Sequence, residues 1–396
     1  IALIFLTANN LTRKKREITM NKSANLEYEG CNYMRLRLVL ATLSGKSLKI
    51  KNIRSKDTSP GLTVYESSLI RLFDKITNGS RIQVSETGTT LTYNPGLLIG
   101  GKVEHDCDPA RGIGYYLEPL LQIAPFCKNP LNVVLRGITN NDIDPSPDLL
   151  KQSALPVLLK FVLVDEGLDI KVEKRGIAPG GGGQVRFSCP VRKSLRSIQM
   201  TNQGKIKRIR GVAWSTGVSP SFPNEIIESA KTLLLKFIPD VYIYADHRKQ
   251  EKSKKTGESG EILRSRGFGL VLTAETNEGC YLSAEVISSK RSVAADLGIE
   301  GAKQLLEEVY RGGCVDSTMQ SLAFHLMALG PRDVSKIVSG PLSPYAVSYL
   351  RHLKDAFQVK FKLDNLPNED ELKIGADKVS LACVGVGFTN LSKRTT

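Results

Sequence analysis

Between Ser47 and Gly96 the spacing of apolar residues changes period twice. KSLKIKNIR alternates apolar and polar residues and predicts a strand. From Thr63 to Thr77 the apolar positions Leu69, Ile70, Leu72, Phe73 and Ile76 fall on one helical face. RIQVSETGTTLTYNPG then alternates about a Thr-Gly turn and predicts a hairpin. The same order recurs from Leu131 to Cys189. LNVVLRGITN is strand-like, and a helix begins near Ser146, capped by Asp144 or Ser146, with Pro156 as a kink. LDIKVEKRG and QVRFSC close that unit as paired strands. The two stretches share negligible identity, so the repeat is one of architecture: helices on one face of a sheet, stacked unit on unit. MRLRLVLATLSG, from Met34, fits either a strand or the first turns of a helix.

Past Pro190 the pattern is different. RIRGVAWSTG, PNEIIESAKTLLLKFI, DVYIYAD, GFGLVLTAE and CYLSAEVI read as a strand, a helix and three further strands. The very polar loop His247–Arg266 interrupts them. Helices over GIEGAKQLLEEVY, STMQSLAFHLMAL and LSPYAVSYLRHLKDAF follow, then the strands QVKFKL and KVSLACVGVGF. The fold class is therefore α/β (α+β). Repeated strand–helix–hairpin units build a large domain from residues 25–189 and 290–396, and a smaller α/β domain is inserted at 190–289. Residues 1–24 are expected to be a disordered or non-native tail, with Met20 as the natural start.

The 396 residues carry a formal net charge of +15, with 41% hydrophobic and 24% charged residues, an ordinary globular balance. The segment Arg13–Glu17 contributes +3 and the loop His247–Arg266 +4, so a surplus remains on the body of the chain. That surplus favours a polyanionic partner, RNA first. The apolar run at the N-terminus stops at Thr7, too short to span a membrane. RKKR at 13–16 has the composition of a nuclear localisation patch. Seven cysteines without a CxxC spacing fit reduced thiols and give no zinc motif.

The most unusual stretch is KRGIAPGGGGQV, Lys174 to Val185. Four consecutive glycines, Gly180, Gly181, Gly182 and Gly183, are costly to order, so they form either a tight hairpin turn or a cradle of backbone amides for phosphate oxygens beside Lys174 and Arg175. Spacing alone leaves both readings open.

RGIAPGGGGQ also fits the signature of the RNA 3'-terminal phosphate cyclases: Arg-Gly, two free positions, Pro, one free position and three small residues. The chain resembles that family from about Asn25 to its C-terminus, and is most similar to its cyclase-like branch. The resemblance implies an inserted α/β domain at the place where the pattern changes. It also implies a nuclear, nucleolar factor acting on precursor ribosomal RNA within the small-subunit processing complex, in partnership with a nucleolar GTPase. No cofactor, metal or membrane is implied for the branch.

The enzymes of the family use ATP and a histidine that becomes adenylylated. Register with the strand QVKF puts that position at about Tyr345, and a phenol does not replace an imidazole near neutral pH. A Gly-rich opening is replaced by Glu29, Gly30, Cys31 and Asn32. In IRSKDTSPGLTVYE, Arg54, Pro60, Gly61 and Leu62 match a family motif, but Tyr65 and Glu66 stand where Gln-His is expected. Glu66 would repel a phosphate there. The reading is a catalytically lapsed homologue in ribosome biogenesis, with Arg54 and the 174–183 stretch as anion-binding residues. One alternative is an endonuclease on precursor rRNA through Arg351, His352 and Lys354, the imidazole taking the 2'-hydroxyl proton and the cations stabilising the phosphorane. Against it, Arg351 would pair with Asp355 on a solvated helix face. The other alternative is an active cyclase. Asp106 and Asp108 beside His105 are the nearest approach to a metal-nuclease cluster, and read as a polar loop.

Overall fold

The computed structural model describes residues 25–163, 166–248, 266–289, 291–366 and 375–392. The expected tail and nearly all of the His247–Arg266 loop lie outside them. Cα packing divides the chain into two compact units: residues up to Leu62 with Gly79–Leu97, and Thr63–Asn78 with everything from Leu98 onward.

The first unit is a four-stranded sheet in the order Leu26–Glu29, Leu48–Lys51, Leu91–Asn94, Arg81–Val84. Its first pair is parallel and the other two are antiparallel. The ambiguous stretch after Tyr33 is a helix, Met34–Ser44, ended by Gly45 at φ 69°. It is apolar almost all round and buried, which is why its periodicity could not separate helix from strand.

The second unit repeats that sheet twice. Gly100–Asp106, Asn129–Gly137, Gly183–Cys189 and Asp169–Lys174 form one copy; Gln199–Met200, Val334–Ser339, Lys378–Val384 and Lys362–Leu366 form the other. Each has one parallel pair followed by two antiparallel pairs. The architecture legible twice in the sequence is thus present three times. The third copy is hard to read because residues 201–319 separate its first strand from its first helix, Gln320–Leu329.

Those residues form a sheet in the order Val241–Arg248, Ile206–Thr216, Gly267–Thr276, Tyr281–Ile287. Helices Phe222–Leu234 and Ala294–Arg311 cover one face, where Ile209, Ile226, Leu270, Leu272, Leu297 and Leu305 make the core. The helix Ala294–Arg311 was expected with the large domain from residue 290; its apolar stripe packs on the inserted sheet instead, so this layer runs on to Arg311.

The helix beginning at Ser146 runs as Pro147–Leu149, a π turn Leu150–Ala154 and Leu155–Val162. Ser146 Oγ caps it by accepting from Leu149 N at 3.1 Å. The wide turn precedes Pro156, whose ring cannot donate and would crowd the carbonyl one turn back.

Candidate functional site

The hairpin Asp169–Lys174 to Gly183–Cys189 delivers Arg175 and the glycine run to the base of the inserted sheet. Arg175 does not face solvent. Its guanidinium meets Asp148 at 2.7 and 3.1 Å and Asp246 at 2.8 and 2.9 Å, and lies 5.3 Å from the Trp214 ring centre. Burial alone would lower its pKa, but Asp148 and Asp246 outweigh that and raise it. Its donors hold the sheet strand to the helix after Ser146, so Arg175 is not offered to a phosphate.

The glycine run is a turn closed on its own backbone. Thr139 N donates to Gly176 O at 2.7 Å and Gly176 N to Thr139 Oγ1 at 3.2 Å. A Cβ on Gly176 would meet Gly183 N at 2.2 Å, and one on Gly183 would meet Gly137 O at 2.8 Å. Gly181 and Gly182 adopt φ of 59° and 76°. Gly180 and Lys174 are exposed. Close approach of backbone to backbone explains glycine here, without a ligand.

Sequence reasoning read Thr139–Asp148 only as a lead into a helix. In the fold it is a polar hub. Asn140 lies 3.4 Å from Arg175 Nη1. Asp144 accepts from Gly112 N at 2.9 Å and from both arms of Arg111, and burial's upward push on its pKa is overcome by that guanidinium. Arg111 in turn lies 4.4 Å from the Tyr115 ring and 5.4 Å from the Tyr65 ring. Ser146 N donates to Glu285, a buried carboxyl pushed up to about 7 by desolvation. The available signal was that every residue of Thr139–Asp148 except Ile143 is polar or proline, between two buried apolar runs.

A cavity of about 650 Å³ opens beside this hub. Among the described residues, Asp142, Asp144, Glu300, Glu307 and Glu308 line it with a single cation, Arg311, which pairs with Glu307 and Glu308 at 2.7 and 3.2 Å. Such a wall disfavours a polyphosphate.

The remaining sequence-derived residues are dispersed. Arg54 closes its own loop, donating to Gly61 O at 2.9 Å. Glu66 is buried and accepts from Thr63 N at 2.9 Å as half of a capping box, so it guards a helix start and does not confront an incoming phosphate. Of the proposed nuclease set, Arg351 and Lys354 are exposed while His352 is buried on the other side of its helix, so the three do not converge. His105 Nε2 lies 2.9 Å from Ser68 Oγ, while Asp106 points outward to Arg136. Desolvation, with nearby Lys75, lowers His105 to about 4. Tyr345, half-buried in the first turn of Pro344–Phe357, donates to Glu118 Oε1 at 2.7 Å.

The model of the RNA 3'-terminal phosphate cyclases matches residues 26–363, most of the chain, with the first two repeated units whole and the third in part. The chain belongs to the RNA 3'-terminal phosphate cyclase family. Within that family it is 58% identical over 374 residues to the human RNA 3'-terminal phosphate cyclase-like protein, covering 93% of this chain and 98% of the relative. It is 51% identical to a probable cyclase-like protein of Drosophila melanogaster, covering 93% and 97%. It is 41% identical to the rRNA processing protein rcl1 of Schizosaccharomyces pombe, again covering 93% and 97%. Among the described residues of this cyclase-family chain, no helix is long and apolar enough to cross a membrane.

Proposed function

We propose that the protein acts in the processing of precursor ribosomal RNA and assembly of the small ribosomal subunit, as an RNA-associated scaffold that has lost cyclase chemistry. Its likeness to a fission-yeast rRNA processing protein supports the first part. The observation that carries the second is the placement of the histidines. An adenylylated imidazole must present a ring nitrogen to the α-phosphate of ATP. His105, His325 and His352 are 4%, 0% and 7% exposed, and His247 Nδ1 lies 2.8 Å from Ser215 Oγ. The acid-lined cavity argues the same way, because ATP entering it would meet like charge. The proposed setting is the nucleolus, with a GTPase as partner in the small-subunit processing complex. That setting rests on the family resemblance.

Depletion of the protein, followed by hybridisation to precursor rRNA, tests the reading. Unprocessed small-subunit precursor should accumulate, and both wild type and Tyr345→Phe should restore processing. Normal precursor levels after complete depletion would refute it.

A further inference from the structure

The inserted sheet has a second face. Helices cover the face bearing Ile209, Ala213, Ile243 and Leu272. On the opposite face one half is closed: Val212 and Trp214 are each 1% exposed and pack on Ile177. The other half is open. Tyr242 and Tyr244, two residues apart on the edge strand Val241–Arg248, are 61% and 50% exposed. Strand register sets Tyr242 beside Arg210 and Arg210 beside Thr273. A neighbouring row sets Arg208 beside Glu275 and Glu275 beside Tyr281. A cavity of about 380 Å³ lies between this face and the helix after Ser146, with Tyr242, Tyr244, Tyr281, Arg210, Lys151 and Gln152 among its walls.

We propose that this open face is a binding site for single-stranded RNA, in which one unpaired base enters the cavity against Tyr242 and Tyr244. The proposal rests on the RNA reading above and gives it a surface. Alternate residues of a strand stand about 6.7 Å apart, the thickness of two stacked aromatic planes, so the two rings offer successive platforms to bases. The cavity has the size of a small-molecule site and suits one nucleoside. Gln152, whose Oε1 accepts from Thr273 Oγ1 at 2.8 Å, supplies an amide for a base edge. Arg210 pairs with Asp240 at 2.8 and 3.1 Å, and Lys151 with Asp169 at 2.7 Å, all four side chains more than a third exposed. Exposed pairs of this kind are weak, so a phosphate displaces the carboxylate at little cost. A protein partner would seek a continuous apolar patch; here Arg210 and Glu275 stand between the Tyr242–Tyr244 pair and Tyr281. The chain's net charge of +15 favours the polyanion.

The test is fluorescence polarisation of the full chain with a short fluorescein-labelled single-stranded RNA, and with the same sequence as a duplex. Wild type should prefer the single strand. Tyr242→Ala/Tyr244→Ala should lose about 10-fold or more in affinity, the loss expected from removing base stacking, while Tyr242→Phe/Tyr244→Phe retains it. Arg210→Ala should flatten the salt dependence. Both tyrosines are exposed, so thermal melts of the variants should match wild type. Wild-type binding with an unaffected alanine double variant would overturn this site and leave the RNA reading standing. No binding of single strands by wild type would sink both. RNA affinity retained alongside lost association with pre-ribosomes would make the face a protein-docking surface, and also overturns the proposal. Ultraviolet cross-linking of 4-thiouridine RNA gives an independent check: adducts should fall on the 241–248 strand, and adducts only elsewhere would contradict it.

Discussion

Tyr345 donates its hydroxyl to Glu118 Oε1 at 2.7 Å, and one turn further along both helices the Tyr349 hydroxyl lies 3.0 Å from the Gln122 side-chain amide. Tyr349 is also 2.6 Å from Nδ1 of His325, which is fully buried and lowered to about 3 by desolvation. Two residues four apart on each helix thus tie Pro344–Phe357 to Ile113–Ile123. At the position where the family resemblance puts a nucleophile, the side chain is a structural tie.

The two tyrosines should therefore differ in cost. Tyr345→Phe removes one hydrogen bond at a half-buried site and should lower stability by about 1 kcal/mol. Tyr349→Phe leaves buried polar atoms of His325 and Gln122 unanswered and should cost about 1–3 kcal/mol. Urea unfolding at constant m-value measures both. A larger loss from Tyr345→Phe would show that the ladder is misassigned.

Arg175→Ala should be far more damaging than an anion-binding role would require. Removing it leaves Asp148 and Asp246 without their shared cation, a loss of about 3–5 kcal/mol for broken buried pairs. Arg175→Lys should recover only part, because an ammonium cannot span both carboxylates as the guanidinium does. If Arg175→Ala melts like wild type and loses only RNA affinity, the cradle reading of this stretch returns.

Within the turn from Gly176 to Gly183, four glycines should respond differently. Gly176→Ala and Gly183→Ala put a Cβ into backbone and should be the most destabilising. Gly182→Ala meets open space and bears only the left-handed backbone penalty, about 1–2 kcal/mol. Gly180→Ala should be near neutral. Differential scanning calorimetry of the set checks the order, and equal melting temperatures across all four would contradict it.

The sequence carried the repeated architecture well wherever one face of an element meets water. Thr63–Thr77 and the 81–94 hairpin were read almost to the residue because their alternation survives. It failed at Met34–Ser44, where burial on all sides erases the period, and at the helix Ala294–Arg311, whose stripe does not say which sheet it faces. The anion site at Arg175 was misjudged for a similar reason. Its partners Asp148 and Asp246 lie 27 and 71 residues away, and no local pattern announces a long-range ion pair.

Two buried carboxyls give the fold a pH dependence of defined sign. Desolvation raises Glu285 and Asp316 from 4.5 and 3.8 to about 7 each. Between those values the folded chain holds protons that the unfolded chain has released. This contribution to stability is full below about pH 4 and is lost as pH rises through about 7. Glu285→Gln still accepts from Ser146 N but does not titrate. Its melting temperature should fall less than wild type's between about pH 5 and about pH 8. A steeper fall in the glutamine variant would reverse the assignment.

The most direct test of the lapsed-cyclase reading is incubation of purified protein with α-labelled ATP, magnesium and an RNA bearing a 3'-phosphate. Label that survives alkali but is lost in acid, as a histidine phosphoramidate would be, is then sought on the protein, and a 2',3'-cyclic phosphate on the RNA. Neither should form with wild type, nor with Tyr345→His, since a restored imidazole would stand beside the Glu118 carboxylate and adenylyl transfer also needs the triphosphate held and its charge neutralised. Covalent AMP on the wild-type chain, or cyclic ends that depend on ATP, would contradict the account.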